Sequence, residues 1–525
     1  MSHIDDRLEA RLRCAHEIGM ALAVWAELTP ERIAIHEPNG RQHSFGKINS
    51  SANKLTRYLR SRGLKAGDAV ALICSNRAEF VEVFAACLRG GWRMTPINWH
   101  LSSDEIGYVL HDCDAKAVIC EPRTHACAQA VVEAATNLVR LSIGMSIEGC
   151  QPYETALADQ QGDDIPDPVL GNIMLYTSGT TGRPKGVLKP QFELETRDLY
   201  DSRRYDGTSV QLCAGPAYHA APLGADVKPV LRAGVPLIFL DKWDSETTLR
   251  TISERRASHM HLVPIMFQRL LSLPAEIKAK YDVSHVRMIL HGAAPCPPDV
   301  KQAMIDWFGP VLLEYYGASE GGAPYLINSH EWLAKPGSVG KRPAQPWSKA
   351  LDDADKECAP YQSGTIYHQL PADGGFVYYK DPEKTRSKRK GNYFTLGDVG
   401  YFDGDDFLFL TGRDAETIIS GGVNIYPQEI DNVLIKHPSV ADSATVGVPH
   451  DEWGEQVRAV VLLKQGFEPT DDLRSELIAF ARSQLATYKA PGHVDFVIEL
   501  PRSEAGKVQR NKVRERYWAG RARQI

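Results

Sequence analysis

The chain has 525 residues, a hydrophobic fraction of 43%, a charged fraction of 24% and a formal net charge of −6 at pH 7. At about 150 residues per domain, this length requires two or more hydrophobic cores. The negative charge argues against a nucleic-acid partner, and the lack of an apolar run of about 18 residues argues against a membrane span. The N-terminus has no apolar core of the kind a signal peptide needs, and none of the 10 cysteines forms a C-x-x-C pair. These features favour a cytoplasmic protein.

Helices and strands are predicted to alternate along the first 120 residues, a pattern that favours doubly wound α/β sheets. Ser102 or Ser103 is expected to cap a helix whose first turn carries Asp104 and Glu105. Residues 150–168 are polar and acidic and are interpreted as a surface connection. The predicted helices cover residues 5–27, 44–62, 77–88 and 102–111, and the predicted strands cover residues 33–35, 68–74, 94–98 and 117–120.

A dense Gly/Ser/Thr stretch, YTSGTTGRPKGV at residues 176–187, follows a predicted strand at residues 173–176. Glycines let backbone N–H groups approach a ligand closely, and hydroxyls with a lysine supply the donors that phosphate oxygens need. A flexible surface turn is the simpler interpretation, but the density of the cluster and the cationic Arg183 and Lys185 favour a phosphate-binding loop. The P-loop of nucleotide hydrolases is rejected, because Lys185 lies between Pro184 and Gly186 and no helix pattern starts there.

The segment TSGTTGRPKG resembles the phosphate-binding signature of the adenylate-forming superfamily, which includes acyl-CoA synthetases, aryl-CoA ligases, adenylation domains and firefly luciferase. The resemblance extends over roughly residues 25–515 and favours the acyl-CoA synthetase branch. It implies a large N-terminal α/β domain of doubly wound sheets with a distorted barrel-like part, residues 1–412, and a small mobile α+β domain, residues 417–525. Residues 413–416 are the expected hinge. The residues assigned to the ATP phosphates are Thr177, Ser178, Gly179, Thr180, Thr181 and Lys185.

His219 follows a predicted strand at residues 210–214. From the residues alone, a hydrogen-bonded structural histidine is the likelier interpretation. The resemblance reverses this, because the family places an aromatic residue or histidine here that lines the acyl pocket and shifts between half-reactions. The next acid in the chain is Asp226, which argues against an amino acid substrate.

Two further motifs follow in the family's order. A buried strand opens into Gly292, Ala293 and Ala294, a loop that the family places beside adenine. The motif LLEYYGASEGG then offers a ring for adenine, a hydroxyl for a phosphate oxygen and a carboxylate for Mg²⁺. As short turns, both motifs also fit a purely structural role. The residues that the resemblance assigns in the second motif are Tyr316, Gly317, Ser319 and, as the metal ligand, Glu320.

Asp398 is assigned to the ribose and Arg413 to the ribose or a phosphate, with a turn aspartate and a surface arginine as the simpler interpretations. The family usually has Asp or Lys two residues after the arginine, where this chain has Ala415, so the identity of the pivot residue stays open. Gly421 and Gly422 are expected to face the site in the second half-reaction and to line the pantetheine channel. Helices at residues 429–437 and 473–485 and strands at 440–448, 456–464 and 494–498 complete the predicted small domain.

The C-terminal residues supply two more expected contacts. Tyr488 aligns with an aromatic residue that stacks on the CoA adenine in aryl-CoA ligases, and Lys507, after Gly506, matches the family's catalytic lysine. The other basic residues of the tail are interpreted as a solvated basic helix: Arg502, Arg510, Lys512, Arg514 and Arg516.

The sequence therefore predicts an ATP-dependent ligase that activates a bulky apolar or aromatic carboxylic acid as acyl-AMP and transfers it to CoA, with ATP, Mg²⁺ and CoA as cofactors. Lys507, Glu320 and His219 are the expected catalytic residues. Two alternatives stay open: an adenylase that loads a carrier-protein thiol, and a binding homologue without turnover. The oligomeric state is also open, with a homodimer as one alternative.

Overall fold

The computed structural model describes residues 6–134, 137–177, 184–190, 203–342, 348–371, 374–413, 416–420, 423–450, 453–503 and 506–519. These residues form four β-sheets with helices packed against them. The first two sheets are mainly parallel, the third is antiparallel, and the fourth lies in the C-terminal part of the chain.

The first sheet has eight strands, and its central strands are parallel while the strands at both edges pair antiparallel. In parallel sheets, ligands bind at the carboxyl ends of the strands. From edge to edge its strands are Gly321–Asn328, Leu312–Ala318, Met288–His291, His259–Leu262, Gln211–Cys213, Leu237–Phe239, Ile33–His36 and Gln42–Ser44.

The second sheet also has eight strands and joins the N-terminal elements to the strands that flank the phosphate-binding stretch. Its order is Val377–Tyr378, Lys185–Leu188, Asn172–Thr177, Arg93–Ile97, Ala69–Ile73, Ala115–Cys120, Val139–Ser142 and Gln151–Pro152. Strand Ala69–Ile73 is buried along its whole length, as expected for a parallel strand covered on both faces.

The third sheet lies within the proposed N-terminal domain, and the fourth sheet has a hydrophobic core of its own around Ile430, Leu434 and Val461. We retain residues 1–412, 413–416 and 417–525 as the proposed division of the chain; hinge positions 414 and 415 lie outside the described residues. The third sheet consists of Gly340–Lys341, Phe407–Arg413, Tyr393–Phe402, Gly364–Gln369 and Ser348–Leu351, with Arg389–Lys390 beside Tyr393–Phe402. The fourth consists of Val423–Ile425, Ile418–Ser420, Gly454–Leu463 and Val440–His450, with His493–Val497 beside Gly454–Leu463.

Helix boundaries follow capping signals in the sequence. The Ser102 side chain accepts from the backbone N–H of Glu105, and the Glu105 carboxylate accepts from the backbone N–H of Ser102, which completes a capping box. The described helices are Asp6–Glu17, Ala21–Leu28, Phe45–Ser61, Ala78–Gly90, Ser103–Asp112, His125–Glu133, Tyr153–Ala158, Ala220–Pro222, Lys228–Ala233, Ser245–Glu254, Pro264–Leu271, Ala275–Lys278, Pro298–Phe308, Ser329–Ala334, Pro382–Ser387, Pro427–Leu434, Asp471–Gln484 and Arg510–Trp518, with a π-helical turn at Leu223–Val227.

Two predictions about the N-terminal half are wrong. The single helix expected over residues 5–27 is broken at Gly19, which has φ = 75°, and a Cβ there would lie 2.2 Å from the Leu88 carbonyl oxygen. The polar connection at residues 150–168 contains helix Tyr153–Ala158, whose Tyr153 is buried and donates to Glu82 across 2.9 Å. Among the described helices, none combines the length and apolar character that crossing a bilayer requires.

Candidate active site

The phosphate-binding stretch lies between two antiparallel strands of the second sheet. Thr177 ends the incoming strand Asn172–Thr177 and is paired in register with Lys185, which begins the outgoing strand Lys185–Leu188. The Lys185 ammonium lies 3.5 Å from an Asp381 carboxylate oxygen and 5.9 Å from the Tyr378 ring centroid. The predicted contacts Ser178, Gly179, Thr180 and Thr181 lie outside the described residues.

Glu320 follows strand Leu312–Ala318, at the carboxyl end where a ligand is expected. Its Oε1 accepts a hydrogen bond of 2.9 Å from the Tyr378 hydroxyl. Within the described ranges there is no cluster of three or more potential metal-binding side chains. The Glu320 carboxylate fits Mg²⁺, which usually binds one or two protein carboxylates and completes its coordination shell with phosphate oxygens and water. Ser319 and Gly317 lie in the same turn and strand end.

The predicted ribose residues meet each other and Tyr316. Asp398 and Arg413 are cross-strand partners in the third sheet, and Arg413 Nε donates to Asp398 Oδ1 across 3.0 Å. The Tyr316 hydroxyl donates to Asp398 Oδ2 across 2.6 Å. Burial, reinforced by the negative charge of Asp398, raises the pKa of Tyr316 well above its usual value, so the phenol keeps its proton. The Asp398 carboxylate, which is predicted to contact the ribose, thus fixes the position of the Tyr316 ring, which is predicted to contact adenine.

The predicted adenine loop begins at the end of strand Met288–His291. A Cβ at Gly292 would lie 2.5 Å from the Tyr315 carbonyl oxygen and 2.7 Å from the Tyr315 ring, so only glycine fits there. Ala293 has φ = 65°, in the left-handed region that alanine rarely adopts. Such strain clusters at ligand sites, which agrees with the predicted role of Gly292, Ala293 and Ala294.

His219 immediately precedes the short helix Ala220–Pro222. Burial, followed by the positive charge of Lys507 and by His100, lowers the pKa of His219 to about 4. Its Nε2 is buried and makes no hydrogen bond with the described residues. His219 is therefore a neutral group with an unused ring nitrogen at pH 7.

Lys507 reaches this site from the C-terminal sheet. Arg502 holds the lysine loop by donating to the Gly506 carbonyl oxygen and pairing with Asp442. A Cβ at Gly506 would lie 2.5 Å from Ile265 Cγ2, so the glycine lets the loop pack closely against the large N-terminal part.

The pKa of Lys507 reflects its position beside other residues of the site. Desolvation by the surrounding protein, followed by the positive charge of Arg413, lowers its pKa to about 8, whereas the charges of Asp398 and Glu320 act in the opposite direction. Although these neighbours partly desolvate its ammonium group, Lys507 keeps contact with solvent. The structure therefore brings the predicted ribose, metal and catalytic residues into one electrostatic neighbourhood.

A second set of polar side chains lies behind His219 and was not predicted. Asp226, in the π-helical turn, accepts from Gln211 across 2.7 Å and from the backbone N–H of His261 across 3.0 Å. His261 Nε2 lies 3.2 Å from the Tyr315 hydroxyl. Burial raises the pKa of Asp226 to about 8 and lowers that of His261 to about 3, so both are largely uncharged at pH 7.

The basic tail differs from its predicted solvated state. Arg510 donates to Glu416 and Gln428, each across 2.9 Å, and pairs with the buried Asp431. The interpretation as solvated cations is therefore wrong for Arg510, as it is for Arg502 and for Arg514, which pairs with Glu455. Their acidic partners lie far from the tail in the sequence, so no local pattern predicted these pairs. The partners are Glu416, Asp431, Asp442 and Glu455.

The residues expected to act in the second half-reaction are less constrained. Tyr488 is 57% exposed, which leaves its ring free to stack on a planar ligand. Gly421 and Gly422 lie outside the described residues.

Comparison with known proteins gives matches along almost the whole chain. Residues 22–372 match the family model for AMP-binding enzymes, and residues 429–507 match the model for the C-terminal domain of these enzymes. The indoleacetate–CoA ligase of Aromatoleum aromaticum is 31% identical over 512 residues, covering 94% of this chain and 98% of that protein. A feruloyl-CoA synthase of an Amycolatopsis species is 31% identical over 498 residues, covering 94% and 97%.

The fold agrees with a solved relative. The structure of ATP-bound MatB from Rhodopseudomonas palustris superposes with a TM-score of 0.78 at 29% identity, covering 94% of this chain and 98% of that one. With a family model that matches well over half of its residues, the chain belongs to the AMP-binding enzymes, in the acyl-CoA synthetase branch of the adenylate-forming superfamily, and is an AMP-forming ligase.

Proposed function

We propose that the chain is an ATP-dependent acid–CoA ligase whose substrate is a bulky apolar or aromatic carboxylic acid. In the first step, a carboxylate oxygen attacks the α-phosphorus of ATP, the bond to the bridging oxygen breaks, and acyl-AMP and pyrophosphate form. In the second, the sulfur of CoA attacks the acyl carbon, AMP leaves, and the thiol proton is released.

The observation that carries this proposal is that Lys507 lies close enough to Glu320, Asp398 and Arg413 for their charges to act on it, in a loop whose Gly506 packs against Ile265. In phosphoryl chemistry of this kind the protein contributes positioning and neutralisation of charge rather than covalent steps. Lys507 is a compact cation on a flexible stem and would neutralise the charge that develops between the carboxylate and the α-phosphate. Lys185 with the residues of the phosphate-binding stretch would hold the β- and γ-phosphates.

Glu320 is the residue that would hold Mg²⁺ through the carboxylate oxygen that Tyr378 leaves unbonded. A bound Mg²⁺ would supply further neutralisation of phosphate charge. Asp398 would accept the ribose hydroxyls, and Tyr316, fixed by Asp398, would present its ring to adenine.

The class of acid is inferred from the neutral surroundings of its pocket. His261 and Asp226 are buried, His219 is partly buried, and all three are largely uncharged at pH 7. A substrate ammonium group, or a second carboxylate, would find no opposite charge among these residues, and burying an unpaired charge is costly. The relatives named as acting on indoleacetate and feruloyl groups support an aromatic acid as the substrate class.

For the second half-reaction, the small domain would rotate about residues 413–416, withdraw Lys507 and bring residues 421–424 to the site. The exposed Tyr488 ring is then available for the CoA adenine. Such rigid-body domain motions are common in enzymes that separate two chemical steps.

The test is pyrophosphate release with ATP and Mg²⁺ across fatty, benzoic, cinnamic, cyclic and steroid acids, each with and without CoA. Release stimulated by CoA for one group of acids supports the ligase and identifies its substrate class. Release that CoA does not stimulate would favour an adenylase that loads a carrier protein. The absence of release with every acid in the panel would contradict the proposal.

A further inference from the structure

The segment at residues 376–387, here called the bridge segment, joins the phosphate-binding stretch to Glu320. Its strand Val377–Tyr378 pairs antiparallel with Lys185–Leu188, and the Tyr379 N–H donates to the Gly186 carbonyl oxygen across 2.8 Å. Asp381 caps the following helix by accepting from the Lys384 N–H across 2.9 Å. The bridge segment is therefore fixed to the strand that begins at Lys185.

Tyr378 is the residue of this segment that reaches Glu320. Its ring is 8% exposed and packs edge-on against Phe376, with ring centroids 5.4 Å apart, in a cluster that also contains Val187 and Phe394. Its backbone N–H donates to Thr385 Oγ1 across 2.9 Å. The ring and backbone are thus held on several sides, and the hydroxyl meets Glu320 Oε1 at 2.9 Å.

We propose that Tyr378 is a positioning residue that orients the Glu320 carboxylate toward the metal bound on the ATP phosphates. The inference rests on the proposed function, because it requires Glu320 to bind Mg²⁺ together with ATP. A phenol hydroxyl donates to a carboxylate, so it engages one oxygen and leaves the other free in a defined direction. Lys185 lies over the same ring, so the Tyr378 side chain also fixes the position of Lys185 relative to Glu320.

The expected size of the effect follows from residues that orient metal ligands in other proteins. Removing such a hydrogen bond usually costs about 10- to 100-fold in metal affinity or activity. A purely structural tyrosine would behave differently, because its removal would weaken nucleotide binding whether or not the metal is present.

The test compares Tyr378→Phe with Tyr379→Phe as a matched control. Both substitutions remove one hydroxyl and keep the ring; the Tyr379 hydroxyl donates to Asp114 across 2.8 Å, away from Glu320. ATP binding is measured by titration calorimetry without any acid, across a series of Mg²⁺ concentrations and in EDTA. We expect the Mg²⁺ concentration for half-maximal enhancement of ATP binding to rise about 10-fold or more in Tyr378→Phe. It should stay at the wild-type value in Tyr379→Phe, and binding in EDTA should be equal in all three proteins.

Other outcomes overturn the inference in distinguishable ways. An unchanged Mg²⁺ dependence in Tyr378→Phe, or equal weakening with and without Mg²⁺, contradicts the positioning role and leaves the proposed function intact. If the wild-type protein shows no Mg²⁺-dependent ATP binding, the proposed function and the inference both fail.

Discussion

The two faces of strand Leu312–Ala318 differ in the charge of the side chains around them. On one face, Glu314 pairs with Lys301 across 2.6 Å and Tyr316 donates to the charged pair of Asp398 and Arg413. On the other face, Leu313 and Tyr315 pack among apolar residues and the largely uncharged His261. Side chains alternate between the faces of a strand, so a single strand separates the paired charges on the side proposed for the nucleotide from the largely uncharged side chains on the side proposed for the acid.

The difference shows where specificity resides. On the side proposed for the nucleotide, Asp398 and Arg413 form a charged pair that fixes Tyr316. On the side proposed for the acid, burial suppresses the charge of Asp226, His219 and His261, so we expect the pocket to select by shape and against a further charged group on the substrate. The predictions below alter one side at a time.

The largest effect is expected for Lys507→Ala. Adenylate formation, measured as single-turnover pyrophosphate release, should fall about 100- to 1,000-fold because a cation that stabilises the developing charge is lost. Thioester formation from supplied acyl-AMP should be spared, since Lys507 acts only in the first step. The exposed Lys512 offers the control, and Lys512→Ala should leave both steps unchanged. Equal loss of both steps in Lys507→Ala would contradict the assignment.

A smaller effect is expected from pH. The pKa of Lys507 is lowered to about 8, so the side chain is charged below that pH and loses its proton above it. The kcat/KM for ATP, which reports the free enzyme, should therefore fall as pH rises through about 8. Lys507→Arg should keep its charge over this range and lack that fall, although its absolute rate is expected to be lower. A fall at the same pH in the arginine variant would show that another group causes it.

The smallest effect is expected for Asp226→Asn, which concerns the acid side alone. Because the folded-state pKa of Asp226 is raised to about 8, wild-type stability is lost progressively as pH rises from about 4 to about 8 and is level above that. An asparagine does not ionise, so the Tm of Asp226→Asn relative to wild type should increase between pH 5 and pH 8. The exposed Asp306 provides a control, Asp306→Asn, with no such trend. If the difference in Tm between Asp226→Asn and wild type did not change with pH, Asp226 would already be charged at pH 5.

The charged side of the site was predictable because short motifs encode it. Thr177 and Lys185 lie in a stretch whose composition indicates phosphate binding, the resemblance assigned roles to Glu320, Asp398 and Lys507, and alternating strands and helices predicted the sheets. Tyr378 was missed because its role depends on a strand pairing with Lys185–Leu188 that the local sequence does not show. The dipeptide Asp381-Pro382 did offer a capping signal at the start of the adjoining helix.

The acid side could not be predicted for a different reason. Gln211, Asp226 and His261 come from three separate elements, and their largely neutral state results from burial that no sequence pattern reports. The break at Gly19 was missed for a similar reason, because a close approach of Leu88 from another helix forces it. Contacts between distant elements therefore limit what the sequence predicts in both regions.

The most direct measurement compares kcat/KM for CoA-dependent pyrophosphate release with three matched acids. The first is a neutral aryl-substituted propanoic acid, and the others carry an aminomethyl group or a second carboxylate on the same ring. Because His219, His261 and Asp226 are largely uncharged, the pocket should favour the neutral acid over both charged analogues by about 100-fold or more, since each buried unpaired charge costs several kcal/mol. Equal or greater activity with either charged acid would contradict a neutral acid side.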